Sequence, residues 1–134
     1  GLLSGTAIAA NGRDPSITVI GAEPAIADDA KRSLETGIRQ PPPSTLTVAD
    51  GLRTSLGEIT FSVLQNLNVH IVTASEDAII EGVYRMMERL KIVVEPSASV
   101  TLGAIIEDPL LVAGKKVGII VCGGNLDVRN YLRV

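Results

Sequence analysis

The chain has 134 residues and a formal net charge of −3, with 46% of its residues apolar, enough for one domain with a moderate core and too apolar for a disordered segment. There is no Lys/Arg run beyond Lys31-Arg32 and Lys115-Lys116, and Phe61, Tyr84 and Tyr131 are the only aromatic residues. A nucleic-acid surface built on a basic stripe and stacking rings is thereby excluded, and no apolar run is long enough for a membrane span.

The core must be made of Ile, Val, Leu and Ala, the usual filling of parallel sheets covered on both faces. Cys122 is the single cysteine, so no internal disulfide is expected and a cytoplasmic location is the default expectation.

In chain order, Leu2 to Ala10 predicts a buried, small-residue helix that ends near Asn11-Gly12. An apolar helix directly after Gly1, with no strand ahead of it, leads us to expect that further sequence precedes it. Ile17 to Ala22 predicts a strand closing at Glu23-Pro24, and Ala27 to Glu35 a helix closed by Gly37. Gln40-Pro41-Pro42-Pro43-Ser44 reads as an extended surface connector.

Ser55-Leu56-Gly57-Glu58 has capping-box spacing and predicts a helix through about Leu67, followed by a strand at Val69–Thr73. Ser75-Glu76-Asp77 opens the most periodic helix. Its apolar positions Ile79, Ile80, Val83, Met86, Met87 and Leu90 share one side, and Arg85, Glu88 and Arg89 the other. Pro96 suits a first helical turn and predicts a helix over about Ser97 to Glu107. Lys116 to Val121 predicts a final strand that meets Cys122-Gly123-Gly124-Asn125. Alternating strands and helices imply an α/β fold, a parallel sheet flanked by helices.

Ligands of open parallel sheets bind beyond the carboxyl ends of the strands, and several chemical clusters fall there. The paired glycines after Cys122 either let backbone approach a ligand or form a tight turn beside an inert thiol. Glu23, Asp28 and Asp29 either hold a hard cation such as Mg²⁺ or offset a helix macrodipole, and by spacing alone the second use is the commoner. Glu95, between Ile92-Val93-Val94 and Pro96, is a carboxylate expected to be buried and therefore paired, protonated or ligand-bound. The amino end of the first helix, at Gly1, is a potential phosphate site. His70 has no evident partner, and no zinc spacing or Ser-His-Asp set occurs.

Taken in order, Gly1-Leu2-Leu3-Ser4-Gly5, Ala22-Glu23-Pro24 with Ala27-Asp28-Asp29, Ala49-Asp50-Gly51, Val94-Glu95-Pro96-Ser97-Ala98 and Cys122-Gly123-Gly124-Asn125 form a recognisable series. It resembles the C-terminal half of fold type II pyridoxal-phosphate enzymes, within these the serine racemases and serine/threonine dehydratases.

The resemblance implies part of the large domain of the tryptophan synthase beta-like fold. In it, Gly1 and Leu2 would close the phosphate-binding loop, Gly51 and Asp50 would line the cofactor pocket, and Glu95 would support the ring. Cys122 would replace the usual serine facing the pyridine nitrogen. It further implies a divalent cation, Mg²⁺ or Mn²⁺, on Glu23, Asp29 and the Ala27 carbonyl. A small amino-acid substrate, a homodimer and an ATP effector near Lys91 and Asn125 follow from the same likeness.

Two departures stand out. Ser99 occupies a position where glycine or alanine is common. The Ser-Phe-Lys-x-Arg motif with the reactive lysine has no counterpart around Lys31, Lys91, Lys115 or Lys116. The implied reaction is removal of the α-proton of serine or threonine, followed by loss of the β-hydroxyl to give a keto acid and ammonia, or by reprotonation on the opposite face. The residues here would be its inactive portion; the alternative is a non-catalytic metal- or phosphate-binding module of the same descent.

Overall fold

The computed structural model describes residues 1–131. Among them a two-stranded parallel sheet carries helices on both faces: α1 (Leu2–Arg13), β1 (Ile20–Pro24), α2 (Asp29–Thr36), α3 (Glu58–Asn66), β2 (His70–Ala74), α4 (Glu76–Arg85) and α5 (Pro96–Glu107) follow in order. The strands pair from Ile20 opposite His70 to Pro24 opposite Ala74.

Side chains alternate across a strand, so successive residues feed two different cores. Ile71 joins Ala7, Ala30, Leu64 and Val69 beneath α1, α2 and α3, with Leu3 packed against them. Ala74 joins Ile79, Val100 and Ala104 beneath α4 and α5, with Ala22 and Val72 packed alongside. Gly21 lies opposite Ile71, and a Cβ there would come within 2.5 Å of a Leu3 methyl and 2.6 Å of an Ile71 methyl. The missing side chain is what lets α1 and Ile71 close over β1.

Helix α4 starts as its sequence predicts: the Ala78 N–H donates to Ser75 Oγ at 3.3 Å, Glu76 and Asp77 occupy the first turn, and Arg85 the last. Ile79, Val83 and Met86 are buried, whereas Leu90 is exposed because Met86–Leu90 widens into a π-turn that ends on Lys91 in the left-handed region, φ 59°. Pro96 stands at the start of α5. Gly37 ends α2 with φ 71°.

Helices α4 and α5 approach closely through small residues. Ser99 is fully buried between them, and its hydroxyl donates to the Ile79 carbonyl at 3.0 Å. A Cβ on Gly82 would lie 2.4 Å from Ser99 Oγ and 3.2 Å from its carbonyl oxygen. Ser99 is therefore the spacer of this helix pair.

Five sequence expectations are corrected. Helix α1 does not stop at Asn11-Gly12 but runs to Arg13, and Asp14 is extended (φ −158°, ψ 109°), because Pro15 bars its predecessor from helical backbone. The same helix buries only one side: Ser4 and Ala7 face inward, and Leu2 and Ile8 are more than half exposed. The Ser55 capping box does not form; Gly57 is the N-cap of α3, without a side-chain cap, and Ser55 lies before the helix. Lys116–Val121 is not a strand: it is exposed and has no ladder partner among the described residues. β-branched composition suits extended backbone, but a strand also requires a neighbour to receive its hydrogen bonds. The first strand is also displaced, to Ile20–Pro24, because pairing extends only where β2 runs alongside.

Gly82→Ala is expected to destabilise the protein. The helix-propensity gain of about 1 kcal/mol is outweighed by overpacking of about 1–3 kcal/mol, since the obstructing Ser99 hydroxyl is held by its own hydrogen bond. Chemical denaturation of Gly82→Ala and of Gly82→Ala/Ser99→Ala checks this, and the double variant should recover part of the loss.

Candidate cofactor-binding edge

Three segments far apart in sequence converge at the amino end of α5. Glu95 is the N-cap residue of that helix and is half-buried. Its Oε2 accepts the Asn125 N–H at 2.9 Å, and its own N–H donates to the Gly123 carbonyl at 3.3 Å. Gly123 has φ 137°, a conformation that favours glycine, and a Cβ there would lie 2.4 Å from Glu95 Cδ and displace that carboxylate. Cys122, immediately before it, is exposed.

The third segment is the 3₁₀ turn Asp50–Leu52. The Gly51 N–H donates to Ser97 Oγ at 3.0 Å, and a Cβ on Gly51 would meet that same oxygen at 3.0 Å. Ser97 Oγ also lies 3.5 Å from Asp50 Oδ1, as donor to it. Gly51, Glu95 and the Gly123–Asn125 turn are thus brought together, with the exposed Cys122 next to that turn in sequence. Ser97 belongs to the Val94–Ala98 motif and completes the junction, but motif reading had singled out only Glu95.

The turn holding Gly51 has its own anchors, which sequence reading missed. Thr47 Oγ1 donates to Glu76 Oε1 at 2.8 Å, and the Val48 N–H donates to Glu76 Oε2 at 2.6 Å. The Arg53 guanidinium donates to the Thr47 carbonyl at 2.8 Å and 3.2 Å. Tyr131 lies close enough to Asp50 and Arg53 to feel both, and burial chiefly raises its phenol pKa, with Asp50 adding to the rise.

Gly1 and Leu2 stand elsewhere, at the start of α1 in the layer shared with α3. Gly1 is the N-cap of that helix, and its carbonyl accepts the Gly5 N–H at 3.0 Å. Among the described residues no hydrogen bond joins Gly1 or Leu2 to Gly51, Glu95 or Cys122. Nor is Lys91 bonded to Asn125: the Lys91 ammonium donates to the Glu88 carbonyl, and the Asn125 N–H is held by Glu95.

At the end of β1 the acidic cluster has a structural use. Glu23 is buried and reaches over the amino end of α2, where its Oε2 accepts the Ala30 N–H at 3.1 Å and its Oε1 the Lys31 N–H at 2.7 Å. It therefore supplies the cap that Asp28 does not, since the Asp28 carboxylate pairs instead with Arg32 at 2.8 Å. Asp29 is also buried, and its Oδ2 accepts the Leu56 N–H at 3.3 Å. Ala27 is buried beside them, and its N–H donates to the Pro24 carbonyl.

Burial pushes the Glu23 carboxyl up to about 7, against the two backbone N–H bonds and with help from Asp29 and Asp28. Burial likewise raises Asp29. Among the described residues no three His, Cys, Asp or Glu side chains are placed to hold a metal. The set implied by the resemblance needs only two carboxylates and a carbonyl.

The fold is that of an α/β domain in which a parallel sheet is covered by helices. The chain belongs to the pyridoxal-phosphate dependent enzyme family, which it matches over residues 1–123. It is 41% identical to a serine racemase of Oryza sativa subsp. indica, across 96% of this chain and 39% of the relative. It is 39% identical to an L-threo-3-hydroxyaspartate ammonia-lyase of Saccharomyces cerevisiae, across 98% of this chain and 40% of the relative. The solved structure of maize serine racemase superposes with a TM-score of 0.89 at 39% identity, covering 96% of this chain and 41% of that one. The chain thus spans about two fifths of the length of the curated relatives it matches. No helix among its described residues is long and apolar enough to cross a membrane.

The Glu23 shift fixes the sign of a pH dependence. A carboxyl titrating near 4.5 when unfolded and near 7 when folded keeps its proton longer in the native state. Its stabilising effect is full below about 4.5 and is lost as pH rises to about 7. Asp29, raised in the same direction, adds to that slope. Denaturation in metal-free buffer should show stability falling over this window, and Glu23→Gln should flatten the fall.

Proposed function

We propose that this chain is the C-terminal portion of the catalytic domain of a pyridoxal-phosphate enzyme that racemises or β-eliminates small hydroxy-amino acids such as serine or threonine. The observation that carries the proposal is the convergence of Gly51, Glu95 and the Gly123–Asn125 turn on one edge, beside the exposed Cys122. The residues present are compatible with the ring side of the cofactor: Gly51 and Gly123 let their turns pack closely against Ser97 and Glu95, and the exposed Cys122 stands next to Gly123. The names of its relatives, a racemase and an ammonia-lyase, support the reaction class.

Pyridoxal phosphate, when bound, supplies the electron sink for loss of an α-proton. The chain's own residues hold and orient it. Cys122 would face the ring nitrogen as a neutral partner, Gly51 would lie along the ring, and Glu95 would fix the turn that carries Cys122. The N–H groups at the start of α1, at Gly1 and Leu2, would receive the phosphate.

In the full-length protein, bound pyridoxal phosphate should be visible by its absorbance and fluorescence. Cys122→Ser should retain most of the activity, whereas Cys122→Asp, which introduces a carboxylate, should lower kcat/KM by roughly tenfold or more. A full-length protein that binds phosphate or Mg²⁺ but no pyridoxal phosphate would instead establish the non-catalytic module.

The proposal includes a divalent cation, Mg²⁺ or Mn²⁺, on Glu23, Asp29 and the Ala27 carbonyl. It is supported by two neighbouring buried carboxylates, both with raised pKa values, whose mutual repulsion a cation would relieve. The melting temperature should then rise with Mn²⁺ or Mg²⁺, and Asp29→Ala should abolish the rise; a rise that persists in that variant places the cation elsewhere. A homodimer, an ATP effector near Lys91 and Asn125, and a cytoplasmic location complete the proposal on the strength of the family likeness.

A further inference from the structure

We propose that Glu76 is a positioning residue for the cofactor: it acts through Thr47 and Val48 to hold the Ala49-Asp50-Gly51 turn against the ring site. The inference rests on the reading that Gly51 lines the pyridoxal-phosphate pocket, and it assigns the support of that residue to a carboxylate outside the pocket.

Glu76 is the first residue of α4, directly after Ser75 at the end of β2, so its backbone is fixed by the sheet and by a capped helix. A carboxylate there could serve merely to complement the helix macrodipole, and its exposed neighbour Asp77 fills that role from solvent. Glu76 is used differently. Both its oxygens are occupied by a segment 28 and 29 residues upstream: Oε2 by the Val48 N–H at 2.6 Å and Oε1 by the Thr47 hydroxyl at 2.8 Å. Hydrogen bonds to an ionised acceptor are about twice as strong as neutral ones, and here two converge on one carboxylate.

Thr47 distributes that restraint. It is fully buried, its Oγ1 also accepts the Ala49 N–H at 3.1 Å, and its carbonyl is gripped by Arg53 from beyond the turn. Ala49 is itself fully buried. Downstream, Ser97 receives the Gly51 N–H at 3.0 Å. The turn is therefore held at one end by Glu76 and at the other by Ser97, in a stretch where the 3₁₀ turn Asp50–Leu52 is the only regular element between α2 and α3. Without Glu76 the Thr47 hydroxyl and Val48 N–H lose their shared acceptor, and the turn keeps only the Arg53 grip on the Thr47 carbonyl, the Thr47–Ala49 bond and the Ser97 contact.

The test uses the full-length protein. Hydrogen exchange at the Ala49 and Gly51 amides should speed up in Glu76→Ala and in Thr47→Val while α4 stays protected. Release of pyridoxal phosphate, followed by its fluorescence, should accelerate by roughly tenfold or more in the same variants. Thr47→Ser, which keeps the hydroxyl, should behave as wild type in both measurements. Val69→Ala, in the core of the opposite face, serves as a control for general destabilisation and should change neither.

Wild-type exchange or wild-type cofactor release in both Glu76→Ala and Thr47→Val would overturn the assignment while leaving the cofactor reading intact. If Glu76→Ala does not fold, the Thr47→Val and Thr47→Ser pair decides alone. Failure of the wild-type full-length protein to bind pyridoxal phosphate would overturn the cofactor reading and this inference with it.

Discussion

Five residues of β1 lie parallel to five of β2, and a parallel pair cannot be joined by a tight turn. The connection from Pro24 to His70 must cross over the sheet, and it does so through α2 and α3. Both faces of the ladder are then apolar and must be covered: α1, α2 and α3 cover the side of Ile71, and α5 with α4 the side of Val72 and Ala74. Because the crossover leaves from the carboxyl end of β1 and α4 leaves from that of β2, the loops that can carry chemistry gather beyond one end of the sheet.

Carboxylates tie those loops together. Glu23 receives two N–H groups of α2, Asp29 one from Leu56, Glu76 one from Val48, Glu95 one from Asn125 and Glu107 one from Ser75. In each case a side chain near the end of a strand or at a helix terminus satisfies backbone of a loop or of a helix's first turn that would otherwise be unpaired. Unmade bonds of this kind cost more than made ones contribute, so the loops are confined by their own donors. With only three aromatic residues in the chain, large side chains are not available to wedge the loops in place.

The glycines of the edge complement those restraints. A Cβ on Gly51 or Gly123 would crowd Ser97 or Glu95, so at both positions backbone packs directly against the amino end of α5. The small residues Gly82, Ser99 and Gly103 do the same work between α4 and α5, drawing the amino end of α5, with Glu95 and Ser97, into position beside the turn.

Local sequence determined much of this. Periodicity located α4, Pro96 the start of α5 and Gly37 the end of α2, because caps, prolines and glycines act within a few residues of themselves; Asp50 and Gly51 are singled out only by the family resemblance. Tertiary structure decided the rest. Whether the apolar run at Lys116–Val121 is a strand depends on a backbone partner that composition cannot supply. That Glu23 caps a helix, that Ser97 receives the Gly51 N–H, and that Glu76 holds Thr47 across 29 residues are contacts made only when the ladder brings distant segments together. Short-range chemistry is written in neighbouring residues, while long-range hydrogen bonds exist only once the chain has crossed over its sheet.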